Sequence, residues 1–79
     1  GILIECGSRK VREKKEDIIS IEAIKGRHQL EIITEKEMLT SQMSLKAVEE
    51  MLDDSFIYVS RSCLLSRKKI REMDRKNRL

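Results

Sequence analysis

Residues 18–24 read I-I-S-I-E-A-I, and no other run restricts the fold as strongly. Four of the seven are isoleucine, whose branched Cβ stiffens χ1 and fits a packed, extended surface better than a helical turn. The run is too short for a typical helix and stops at Lys25-Gly26-Arg27-His28, a turn punctuated by glycine. A buried strand is therefore expected here, and the rest of the chain must supply it with neighbours.

Several segments qualify. Ile2 to Cys6 is a short apolar run ended by Gly7-Ser8, and Arg9 to Lys15 is charged around a single Val11. This predicts strand, turn and an exposed edge strand guarded by lysines. Leu30 to Thr34 and Met38 to Met43 flank Glu35-Lys36-Glu37, a spacing that fits a hairpin. Ser44 offers a side-chain oxygen to free helix N–H groups, and Leu45, Val48, Met51 and Leu52 fall on one face between Lys46, Glu49 and Glu50. An amphipathic helix packed on a sheet follows, ended by Asp53-Asp54-Ser55. Phe56 to Leu65 then returns to strand, with both aromatics, Phe56 and Tyr58, expected in the core. Ile70 to Asp74 mixes apolar and charged residues and is expected as a further strand before a turn at Lys76-Asn77-Arg78. The fold class is mainly β, an elongated antiparallel sheet with one short amphipathic helix.

At 79 residues this is one domain, and a chain so short buries only roughly 60% of its extended surface. With no Trp, one Phe and one Tyr, Ile, Leu, Val and Met must fill the core. No apolar run approaches the roughly 18 residues of a membrane span, and the start lacks the order of a signal peptide. Cys6 and Cys63 lie far apart without a C-x-x-C pattern, and one histidine supplies no second imidazole for zinc. A reducing cytoplasm with both thiols acting as small hydrophobes is the expectation, without metal or cofactor.

Catalysis has little to work with. A His28–Cys63 pair is the one nucleophilic combination, and a thiol inside an apolar strand is normally inert. Gly26 has no glycine partners, so the phosphate-binding glycine loops are excluded. Charge is the stronger lead. Residues 1–59 carry 9 basic and 12 acidic side chains, whereas residues 60–79 carry 8 basic and 2 acidic. Lys25, Arg27 and His28 share one loop, and Arg61, Arg67, Lys68 and Lys69 surround another, which would give two basic loops on one side. Such residues can replace phosphate counterions and reach base edges. Arg61 interrupts an otherwise apolar strand between Ser60 and Ser62, where a charge must face solvent or a partner. Glu22 sits similarly within a β-branched strand, as a structural partner for a basic side chain or a solvent-facing residue. Few aromatics argue against single-stranded RNA, and the acidic face of the short helix argues against a helix-turn-helix. Loops on a β scaffold remain as the way to bind duplex DNA.

The ordered series I-I-S-I-E-A (18–23), a basic loop ending in His28, a hairpin, S-L-K-A-V-E-E-M-L (44–52), F-I-Y-V-S-R-S-C-L-L-S (56–66) and Ile70 resembles the LytTR-type DNA-binding domain of bacterial transcriptional regulators. The resemblance runs from about Ile2 to Leu79. It implies an elongated antiparallel β fold that contacts DNA through loops in major grooves, with direct repeats bound by two copies and a receiver domain upstream. A homodimer is also left open. By position it makes His28, Arg61 and Ser60 base contacts, and Lys25, Arg27, Ser62, Lys68 and Lys69 phosphate contacts. The family's usual His in its H-R-S motif is Ser60 here, and its usual Asn after the apolar pair is Ser66. The family's final strand and S-R loop have no counterpart within residues 1–79. The alternative reading is a protein-interaction or self-association module that uses an exposed strand edge and reads no specific DNA.

Overall fold

A computed structural model of the chain describes residues 1–77, with side chains described through Glu72. The elements in order are β1 (Ile2–Cys6), β2 (Arg9–Glu13), a single 3-10 turn (Lys15–Asp17), β3 (Ile18–Ile24), β4 (Gln29–Thr34), β5 (Met38–Ser41), α1 (Leu45–Met51), β6 (Phe56–Ser60), β7 (Cys63–Ser66) and α2 (Arg67–Asn77). β1 and β2 form a hairpin, and the remaining strands form a five-stranded antiparallel sheet in the order β5-β4-β3-β7-β6. The isoleucine-rich run is thus the central strand. The molecule measures 45 × 25 × 21 Å, elongated as expected.

Register explains the core. Ile21 lies opposite Ile32 on β4 and Leu64 on β7, and Ile32 lies opposite Leu39 on β5. Paired residues share a face, so these four form one apolar row. All four are buried, and Val48 of α1 belongs to the same cluster. Ser44 caps α1 by accepting a 3.1 Å hydrogen bond from the Ala47 N–H. The β1–β2 hairpin adds Ile2 and Ile4 to the core and is tied to the far end of β5, where the Ser41 hydroxyl donates to the Glu5 carbonyl at 2.5 Å. The other face of the sheet carries Ser20, Ile33, Leu65, Ile57 and Met38 in register and stays partly open, with Ile33 40% and Met38 58% exposed.

Three expectations change. Phe56 to Leu65 is two strands, because Arg61-Ser62 makes a tight turn in which the Ser62 N–H donates to the Ser60 hydroxyl at 3.3 Å, a local serine bond that competes with continued pairing. Ile70 to Asp74 lies within a second helix instead of a strand. Over 67–77 only Ile70 is β-branched and the rest is dominated by Arg and Lys with Glu and Met, unbranched side chains that lose little freedom in a helix. Lys76 and Asn77 belong to that helix, and Arg78 lies outside the described residues. Finally, Phe56 is buried but Tyr58 is 45% exposed, since it sits on the edge strand β6, where among the described residues no outer strand covers it.

The link between α1 and β6 is held by Asp53. Its carboxylate accepts from the Ser55 hydroxyl, from the Ser55 N–H at 2.9 Å and from the Lys15 ammonium at 3.2 Å. These contacts, the serine ones foremost, lower its pKa to about 2. Its contribution to stability is therefore complete above the ordinary carboxyl range and is lost as pH falls toward about 2. NMR titration should give an Asp53 midpoint near about 2, and Ser55→Ala should move it upward; an unchanged midpoint in that variant would contradict the assignment. For the core, Ile21→Ala should lower unfolding free energy in urea by about 2–5 kcal/mol. Ile33→Ala, on the open face, should cost far less.

Candidate nucleic-acid interface

Central placement of β3 decides where the loops go. Its C-terminal end is paired on one side with β4, through Ile24 opposite Gln29, and on the other with β7, through Glu22 opposite Cys63. The Ala23 N–H donates to the Ser62 carbonyl at 2.8 Å. That bond ties the β3–β4 turn, Lys25 to His28, to the β6–β7 turn at Arg61-Ser62. Two turns that are 33 or more residues apart in sequence thus emerge side by side from one end of the sheet.

Lys25, Arg27, His28, Ser60 and Arg61 are exposed there, and Ser62 is half-buried because its carbonyl is in the ladder. Among the described residues, Lys25, Arg27 and Arg61 enter no salt bridge. Cations without a protein carboxylate partner project positive potential into solvent, which attracts and steers polyanions. The turn geometry is specific. Gly26 has φ 81° and His28 has φ 47°, the left-handed region that non-glycine residues adopt at a cost. His28 stands next to a cleft of about 320 Å³ lined by Gly26, Gln29, Gln42 and Ser44, among others.

The β1–β2 turn joins this end as well. The Gly7 N–H donates to the Gln42 side-chain carbonyl at 2.9 Å, and the Gln42 amide returns a bond to the Gly7 carbonyl at 3.1 Å. Arg9, exposed and opposite Cys6, therefore lies near the same end. Sequence reasoning left Arg9 on a guarded edge strand, because nothing in the residue pattern announces the Gln42–Gly7 clasp.

Lys68 and Lys69 are not brought to this end. β7 runs away from the turns at about 3.4 Å per residue, so Ser66 lies roughly 10 Å from Cys63 and α2 starts at the opposite end of the sheet. The expected grouping of all these cations on one side is corrected accordingly. Lys69 is mostly buried and salt-bridged to Glu35 and, at 3.5 Å, to Glu72. Lys68 and Arg67 are exposed, and the Arg67 guanidinium donates to the Asp54 carbonyl at 2.6 Å.

The described thiols are not set up as nucleophiles. Burial first, and the Glu22 carboxylate second, push the Cys63 thiol up, which is the reverse of what a thiolate nucleophile requires. Burial likewise raises Cys6, against the opposing pull of Arg9. Glu22 faces solvent opposite Glu31, so the solvent-facing reading of that residue is the one the geometry supports. Among the described residues no cluster of His, Cys, Asp and Glu could hold a metal ion, and no described helix is long and apolar enough to cross a membrane.

The profile of the LytTr DNA-binding domain family matches residues 8–79. The chain belongs to that family. A search of curated proteins returned no match. Members of the LytTR family are DNA-binding domains, not an enzyme family.

His28 permits a test that separates backbone strain from recognition. In this LytTR domain His28→Gly should unfold at the same or slightly higher urea concentration, a gain of up to about 1 kcal/mol, because glycine adopts the left-handed region freely. Marked destabilisation would mean that the imidazole packs structurally.

Proposed function

We propose that the chain reads duplex DNA sequence-specifically with the end of the sheet where the β3–β4 and β6–β7 turns meet. The observation that carries this reading is the Ala23–Ser62 bond, which sets an unpaired arginine beside a strained histidine turn. Arg61 can donate two parallel hydrogen bonds to guanine O6 and N7, and His28 can donate or accept at a base edge, with Ser60 in reach of the same groove. Lys25, Arg27 and the Ser62 hydroxyl are the phosphate contacts of this surface, and Arg9 joins them. Lys68 and Lys69 belong to a second, separate phosphate region at the far end, where Lys68 has the freer ammonium.

The wider assignment follows from the family. We read the chain as the output domain of a bacterial transcriptional regulator of the two-component type, downstream of a receiver domain and working in the cytoplasm. Two copies on direct repeats would double the number of phosphates neutralised. The support for this context is family membership, whereas the support for the reading surface is geometric.

Fluorescence anisotropy with duplexes enriched from a random pool tests the proposal. Affinity should fall steeply with salt, and Lys25→Ala should flatten the salt slope by about 1. Arg61→Ala should cost about 1–3 kcal/mol on the enriched site and relax its specificity. Failure to enrich any motif, with Arg61→Ala indistinguishable from wild type, would refute specific readout.

A further inference from the structure

The strand β6 ends the five-stranded sheet, and among the described residues no strand lies on its outer side. Its main-chain directions can be read from the ladder. The Ser55 carbonyl accepts from the Arg67 N–H at 2.8 Å, and Ile57 lies opposite Leu65, so the polar groups of Ser55 and Ile57 point toward β7. By the two-residue alternation, the N–H and C=O groups of Phe56 and Tyr58 point outward. A sheet edge with outward donors and acceptors is a template for another strand unless Lys, Pro or a covering element blunts it. Over Phe56–Ser60 the sequence is F-I-Y-V-S, which contains none of these guards. Tyr58 and Val59 are 45% and 52% exposed along it. The contrast with β2, whose sequence R-K-V-R-E is dense in charge, is sharp.

We propose that a second copy of this chain adds antiparallel to β6, strand to strand, about a twofold axis at Ile57. In that register Phe56 exchanges both main-chain bonds with the partner's Tyr58, and Tyr58 does so with the partner's Phe56. Ile57 meets the partner's Ile57 on the open face, extending the apolar row of Leu65, Ile33 and Met38 across the seam. The register shift between Tyr58 and Ser60 confines the ladder to this short segment.

Charge selects a second copy over an unrelated peptide. β6 is preceded by Asp53 and Asp54 and followed by Arg61, and it carries no charge of its own. Antiparallel self-pairing is the arrangement that sets the acidic pair of each copy against the partner's Arg61, twice by symmetry. The two five-stranded sheets become one continuous sheet whose reading ends point in opposite directions. Arg61 is then drawn toward carboxylates, so self-association and DNA binding compete for the same guanidinium and each weakens the other.

Sedimentation equilibrium of the full chain without DNA, over a concentration series, tests this independently of any DNA reading. Wild type should shift toward twice the monomer mass, with the Phe56 and Tyr58 amides gaining hydrogen-exchange protection as the dimer fills. Ile57→Lys should raise the dissociation constant by about tenfold or more, by setting two ammonium groups against each other at the axis. Tyr58→Pro, which removes an outward N–H and leaves the β7 ladder intact, should do the same, with circular dichroism confirming the fold. Arg61→Asp alone should weaken association several-fold, and Asp54→Arg added to it should restore it. A chain that stays monomeric throughout overturns the proposal. So does a dimer that survives both β6 variants, which would place association on another surface.

Discussion

One hydrogen bond organises the candidate reading end of this molecule: the Ala23 N–H to the Ser62 carbonyl, at 2.8 Å. It exists because β3 lies between β4 and β7, and β3 lies there because its isoleucines bury Ile18 and Ile21 fully. A backbone bond of this kind adds only about 0.5–1.5 kcal/mol to stability. Its importance is positional, since moving β7 by one residue would send Arg61 away from His28 and turn Leu64 out of the core. The same burial that stabilises the sheet therefore fixes the distance between the two turns.

Much of this was legible in the sequence. The isoleucine run, the Lys25–His28 turn, the Glu35–Glu37 loop and the Ser44 cap all fall where residue pattern places them, because each rests on local chemistry: β-branching, glycine's access to positive φ, and a serine oxygen beside free N–H groups. The family resemblance agrees with the profile match over residues 8–79. What failed was less local. The strand expected over Ile70 to Asp74 misread the spacing, since Ile70 and Met73 lie three apart, as on one helix face, and the side chains around them favour a helix. The break at Arg61-Ser62 was visible as polarity but not as a change of chain direction.

The candidate site was half legible. Side-chain types identified His28 and Arg61, while only strand order could bring them together and separate them from Lys68 and Lys69. Clusters of cations close in sequence, such as Arg61 and Lys68, can lie at opposite ends of a strand, because four extended residues cover more distance than two neighbouring turns do. Conversely, Arg9 reaches the candidate site through the Gly7–Gln42 bonds, a contact spanning 35 positions. Among the described residues the basic C-terminal stretch is thus divided between the two ends of the sheet, Arg61 at one and Arg67 to Arg71 at the other.

The central claim is that one end of the sheet meets DNA. The most direct measurement is an amide chemical-shift map of the isotopically labelled chain as an enriched duplex is added. The account predicts the largest shifts at Lys25 to His28 and Ser60 to Ser62, with Arg9 following and smaller shifts around Lys68. Shifts concentrated on Arg67 to Arg71, with the two turns unmoved, would contradict it.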